Sequence, residues 1–262
     1  MPDRDGTGLF ERIKAAVAEG RWEPNGGMWV EPDGNIPSGE SFVRQFLVGQ
    51  QWTREHFGYT ADTVWLPDVF GFSPSLPQIM RRAGIKYFVT MKLFWNDTTR
   101  FPYDLFTWRG IDGTPILAHF PGNLNQTDPK GFNDMWAHVQ HKEIQDREVC
   151  VFGWGDGGGG PTMEQIEMIR RVADLQGVPR TEYSSVSDFL GRMKSECAGL
   201  PEYSGELYLE EHRGTLTSIA EVKRANRKCE FALREAEFLS ALASLGGAHY
   251  PHDELREAWK LL

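Results

Sequence analysis

Short apolar runs of strand length recur along this chain with helical segments between several of them, and no other feature limits the fold as much. The runs are Thr63-Val64-Trp65-Leu66, Tyr87-Phe88-Val89-Thr90-Met91, Ile116-Leu117-Ala118, Val149-Cys150-Val151-Phe152 and Leu207-Tyr208-Leu209. Helical apolar spacing occupies Leu9 to Ala18, Ser41 to Phe57, Ser75 to Ala83, Asn133 to His141, Met163 to Gln176 and Ser187 to Glu196. Strands joined through helices pair in parallel, because a crossover of that length returns the chain to the same end of the sheet. An α/β fold with mainly parallel strands is therefore expected. From Leu216 the pattern changes to a long helix, Ser218 to Leu245, rich in Ala, Glu, Arg and Leu and closed by Gly246-Gly247. A further helix starts near Asp253, so residues 216–262 read as the opening of a helical bundle that follows an α/β part over 1–215.

Each strand is followed by a polar residue: Asp68, Lys92, His119, Asp156 and His212 in turn. Parallel strands place their carboxyl ends on one edge, which is where α/β enzymes gather their chemistry. The five should converge there. A plainer reading is that strand ends are polar because they reach solvent.

The formal net charge of -9 runs against nucleic acid and anionic membranes, both of which recruit basic surface. A neutral, polar partner fits better. Nine Trp and 12% aromatic residues, many beside Gly, Asn and Asp in expected loops, suit stacking on sugar faces as well as core packing. Cys150, Cys197 and Cys229 are odd in number and widely spaced, with no C-x-x-C pair, which indicates neither a disulfide framework nor a cysteine zinc site. The first residues, Met1 to Gly8, lack the basic-then-apolar pattern of a signal peptide, and no run approaches the roughly 18 apolar residues of a membrane span. A cytoplasmic location is expected.

Asp68 and Asp156 form the best carboxyl pair for acid/base or nucleophilic work. Asp68 stands between Pro67 and the Phe70-Gly71 turn, an apolar setting that would limit its solvation. Asp156 is flanked by Gly155 and by Gly157 to Gly160, which lets backbone approach a bulky ligand. That glycine run lacks the G-K-[ST] ending of a phosphate loop and the spacing of G-x-G-x-x-G. His212, in Glu210-Glu211-His212-Arg213-Gly214-Thr215, stands beside carboxylates that could orient its ring as a metal ligand; taken alone it reads more readily as a hydrogen-bonded surface histidine.

The stretches Gly26 to Asn35, Pro37-Ser38-Gly39-Glu40, Trp65 to Ser73, Leu76 to Met80, Phe152 to Thr162, and Gly205 to Glu210 through Arg213-Gly214-Thr215 together resemble glycoside hydrolase family 38, the α-mannosidases, in its bacterial and cytosolic branch. The resemblance implies an incomplete (β/α) barrel-like catalytic region and retaining hydrolysis of terminal α-linked mannose from oligosaccharides. It implies Asp68 as nucleophile and zinc ligand, His212 as a further zinc ligand and Asp156 as acid/base, with Phe70 and Lys92 near the substrate; His119, from its strand-end place, is a further candidate substrate-binding residue. Zinc would hold the 2- and 3-hydroxyls of the mannose and help distort the ring. Family members also carry a His-x-Asp pair on an early strand, and none of the seven histidines here is followed two residues later by aspartate. The resemblance therefore implies that this strand precedes Met1, and that β-rich domains and any homo-oligomer contacts belong to a longer protein. An inert or merely carbohydrate-binding fragment is the alternative.

Overall fold

The computed structural model describes residues 8–122, 125–155 and 159–262. Its helices are α1 (Leu9–Ala18), α2 (Gly39–Phe57), α3 (Leu76–Arg82), α4 (Pro129–His138), α5 (Met163–Val172), α6 (Val186–Glu196), α7 (Ala220–Leu245) and α8 (His252–Leu261). Local chemistry sets several of their starts. The Ser38 hydroxyl accepts from Ser41 N at 3.2 Å to cap α2, and Asp128 caps α4 through Gly131 N at 2.8 Å with Pro129 next in line. Thr162 and Gln165 exchange side-chain bonds with each other's backbone N–H, a reciprocal capping box that opens α5.

Among the described residues five strands, β1 (Thr63–Leu66), β2 (Tyr87–Thr90), β3 (Leu105–Arg109), β4 (Pro115–His119) and β5 (Glu202–Ser204), form one sheet in the order β1-β2-β4-β3-β5. Pairings β1/β2, β2/β4 and β3/β5 are parallel, and β3/β4 is antiparallel. This mixed α/β sheet is open, with β1 and β5 at its edges. The antiparallel pair was not expected and has a local cause. Asp112 Oδ1 accepts from Thr114 N and Gly110 N donates to Thr114 O, each at 2.9 Å, while Gly113 takes φ 82°, so the chain reverses within five residues and no crossover is available. Two expected strands are not formed: Val149–Phe152 is irregular apart from an isolated bridge residue at Val151, and Leu207–Leu209 contributes a single antiparallel bridge, Phe72 to Leu207.

Strand β2 is buried on both faces, which explains its unbroken apolar run. Phe88 packs edge-on against Phe72 at 4.9 Å and beside Trp108 at 5.2 Å, in a cluster with Phe42 and Phe46 of α2 and Leu76 and Met80 of α3. Tyr87 and Val89 point the other way, to Leu105, Leu117 and the Phe189, Leu190 and Met193 face of α6. Each such side chain contributes about 1.5–3 kcal/mol by leaving water. This two-sided anchoring fixes where the residues just past β2 emerge.

The loops 33–36 and 69–73 interlock beside that point. Asp33 Oδ1 accepts from Asn35 N and Ile36 N, both at 2.7 Å, so the first loop is a tight Asx turn. A Cβ at Gly34 would overlap the Gly71 carbonyl, and a Cβ at Gly71 would lie 2.6 Å from Asn35 Nδ2. Gly34→Ala should therefore lower stability by about 1–3 kcal/mol in urea titration, the usual cost of overpacking. Gly160→Ala, where no atom lies within 4 Å of the added carbon, is the control; equal effects of the two would discredit the interlock.

The C-terminal helices dock through polar contacts. Glu230 of α7, 4% exposed, accepts from Ser38 N at 2.8 Å and Ser41 Oγ at 2.6 Å. Arg227 bonds Glu230 Oε2 at 2.5 Å and the Ile36 carbonyl at 2.8 Å. Arg44 of α2 forks onto Glu237 at 2.8 and 2.7 Å, and Trp259 of α8 donates to the same carboxylate at 2.9 Å. Among the described residues no helix is long and apolar enough to cross a membrane.

Candidate active site

The β1/β2 register pairs Leu66 with Thr90, so Asp68 and Lys92, two residues beyond each, leave the same edge of the sheet side by side. Lys92 Nζ lies 2.8 Å from Asp68 Oδ1. The same ammonium sits 3.6 Å from the centroid of the Trp95 ring, a cation–π contact. Trp95 meets the His212 imidazole edge-to-face at 5.7 Å and 88°, and His212 meets Phe70 at 5.1 Å and 80°. Asp68, Lys92, His212 and Phe70, four residues singled out from the sequence, thus belong to one chain of contacts.

The environment of Asp68 differs from the apolar setting expected. Val69 turns into the core and carries that apolar character inward, whereas the Asp68 side chain is 63% exposed. Lys92 is 18% exposed, so its stem is held in the protein while its head reaches Asp68. Oδ1 is occupied by Lys92, while the carboxylate as a whole stays largely open to solvent. The Asp68 backbone N–H donates to Glu31 Oε1 at 2.9 Å, fixing the residue from its other side. Glu31 and Trp95 were not singled out from the sequence. Trp95 carried a signal, an exposed aromatic beside Asn96 and Asp97 three positions after Lys92, whereas the role of Glu31 depends on a loop contact that no local pattern encodes.

His119 is not brought to this group. It is fully buried, with Nδ1 2.9 Å from the Asp104 carbonyl oxygen, Nε2 2.7 Å from Glu148 Oε1, and the Phe189 ring 5.3 Å away. Burial alone would pull its pKa down, but the charge of Glu148, with Asp104, outweighs that and holds it above the ordinary imidazole value. Nδ1 bonds the Asp104 carbonyl, while Nε2 is close enough to Glu148 Oε1 to attract it but lies outside good hydrogen-bond geometry, so the ring is held inside the fold by its neighbours instead of being offered to the site. Asp156 lies outside the described residues.

Asp68 and His212 have the donor chemistry of zinc ligands, but a protein site for that ion takes three or four such groups. Among the described residues no set of three His, Cys, Asp or Glu side chains comes together. Asp68 Oδ1 is already taken by Lys92. The described residues therefore do not by themselves fit a closed zinc site.

A separate cavity of about 1160 Å³ opens along β1, lined by Trp65, Trp136, Glu148, Phe152, Tyr183 and Phe189 among others. Asp68, Lys92 and His212 do not line it. Cys150 on its wall has its thiol pushed up to about 11 by burial and by Glu148, which keeps it protonated and unreactive near neutrality.

Comparison with known proteins assigns the chain in two stretches. The profile described as glycosyl hydrolases family 38 N-terminal domain matches residues 3–206, and that described as alpha mannosidase middle domain matches 210–262. Alpha-mannosidase 2C1 of Homo sapiens is 41% identical over 260 residues, covering 97% of this chain and 25% of that protein. Alpha-mannosidase G of Dictyostelium discoideum is 42% identical over 257 residues, covering 96% and 24%. The chain thus spans about a quarter of the length of these relatives. An alpha-mannosidase from Enterococcus faecalis V583, of known crystal structure, superposes with TM-score 0.79 at 24% identity over 95% of this chain and 30% of that one, which shows a shared fold.

Proposed function

Since this chain belongs to glycosyl hydrolase family 38, we propose that it is the central part of an α-mannosidase catalytic region, hydrolysing terminal α-linked mannose from oligosaccharides with retention at the anomeric carbon. The observation that carries the reading is the Asp68 carboxylate at the strand edge, held through one oxygen by Lys92 and through its backbone by Glu31, beside the Phe70, Trp95 and His212 rings. Oδ2 attacks the anomeric carbon as the glycosidic C–O bond breaks, while an acid gives its proton to the departing oxygen. Asp156 is the proposed acid. The product is a mannosyl ester of Asp68. Water, giving its proton back to the same acid, then attacks the anomeric carbon as its bond to the Asp68 oxygen breaks, releasing mannose with the carboxylate restored. Lys92 and Glu31 keep the attacking oxygen aimed, which turns an improbable encounter into a local one.

Asp68 and His212 are also proposed as two ligands of a divalent ion such as zinc, completed by residues beyond those described. When bound, that ion would polarise sugar hydroxyls. The free cysteines and acidic balance suit a cytoplasmic protein acting on a neutral glycan.

A mannosyl fluoride carrying a second fluorine on the ring tests the reading, because it forms the ester faster than it loses it. Incubated with the full-length polypeptide and digested, it should add one sugar mass to the peptide containing Asp68. An adduct on another carboxylate, or turnover with inversion, would contradict the assignment. Affinity for the sugar with neither adduct nor turnover would favour simple carbohydrate binding.

A further inference from the structure

Four hydrogen bonds join the loop after Lys92 to the segment before His212, and none belongs to a sheet ladder. Asn96, 7% exposed, donates through Nδ2 to the Tyr208 carbonyl at 3.0 Å and accepts through Oδ1 from Glu210 N at 2.6 Å. Its amide thus pairs with the backbone of 208–210 as a neighbouring strand would. Glu210 answers in the other direction: its two carboxylate oxygens accept Thr98 N at 2.7 Å and Thr99 N at 2.6 Å. A carboxylate filled by two backbone N–H groups is a strong, directional cross-link.

The clamp is needed because what it holds is not in a regular element. His212 sits at φ 67° in the left-handed region, where a non-glycine residue is strained by about 1–3 kcal/mol and persists only if its surroundings enforce it. Its carbonyl accepts from Thr215 N at 2.9 Å, so the chain turns sharply just after it. One arm of the clamp ends next to Trp95 and the other two residues from His212. Those two rings are the ones that meet edge-to-face beside Lys92 and Asp68.

We infer that Asn96 and Glu210 are positioning residues for the mannoside reaction, locking the loop that carries Lys92 and Trp95 to the segment that carries His212 so that the site has one geometry. The inference rests on the function proposed above. It assigns no contact with the sugar to either residue; they act through the rings and the ammonium they fix.

The test combines two readouts. In the chain with carbon-13 in its histidines, at constant pH, the His212 ring-proton signal should be shifted by the ring currents of Phe70 and Trp95. Asn96→Ala should move that signal to the position of an unstacked histidine, Glu210→Gln should move it partway, and the signal of buried His119 should stay, reporting an intact fold. In the full-length polypeptide kcat for an aryl α-mannoside should fall at least tenfold in Asn96→Ala, with KM changed less than twofold. An unmoved His212 signal in both variants overturns the clamp. A moved signal together with full activity of Asp68→Asn would leave the clamp standing and remove the proposed function.

Discussion

Asp68→Asn should cut turnover of an aryl α-mannoside in the full-length polypeptide by on the order of 10⁴-fold, a loss typical of removing one member of a catalytic group. Asparagine is nearly isosteric, and its Oδ1 can still accept from Lys92 Nζ, which holds the aspartate at 2.8 Å. What is lost is the carboxylate charge and the capacity to form an ester. Because the side chain is 63% exposed, the melting temperature should hardly move. Turnover equal to the parent would end the nucleophile assignment, and a large fall in stability would show that the carboxylate serves the fold.

The second large effect belongs to a residue outside the site. His119→Leu should lower stability by about 3–5 kcal/mol in urea titration, since it leaves the Glu148 carboxylate, 3% exposed, with only the neutral donors Val149 N and Gln145 Nε2. The double change His119→Leu with Glu148→Leu should recover much of that loss, because the stranded charge leaves too. The pH dependence has a definite sign. The folded-state pKa of His119 is raised, so its contribution is complete below the ordinary value of 6.5 and is lost as pH rises through the higher folded-state value. The stability gap between parent and His119→Leu should accordingly narrow on the alkaline side. A gap that widens there, or one below 1 kcal/mol throughout, would mean that the pair is not an ion pair.

The helices were the most legible part of the sequence, because apolar spacing and capping residues are local. Leu9–Ala18 follows from its own pattern, and Ser38 and Gly58 mark the ends of α2 through a side-chain bond and a left-handed turn. Strands were legible where burial on both faces made them continuously apolar, as in Tyr87–Thr90. They were not where pairing is decided by a distant partner. Glu202–Ser204 is a strand only because Thr107 to Arg109 lies alongside it, and its own residues announce nothing. Leu207–Leu209 reads as a strand but meets the Asn96 side chain where a ladder would run. His119 shows the limit of counting polar residues past strand ends: it closes β4, yet its ring turns inward because Asp104 and Glu148 wait there. Asp68 and Lys92 escape that ambiguity since parallel register alone makes them neighbours.

The contacts of α7 bear on how this protein can be divided. Two profiles meet between residues 206 and 210, which invites a cut there. Yet Glu230 holds the first turn of α2 and Arg227 holds the carbonyl of Ile36, the last residue of the Asx-turn loop that interlocks with the Phe70 loop. Removing the C-terminal helices would strip Ser38 N of its acceptor, leave Arg44 with Glu40 alone, and free the turn that packs beside the Asp68 loop. The seam between the two profiles is not a mechanical seam: the helical segment braces the loops beside Asp68.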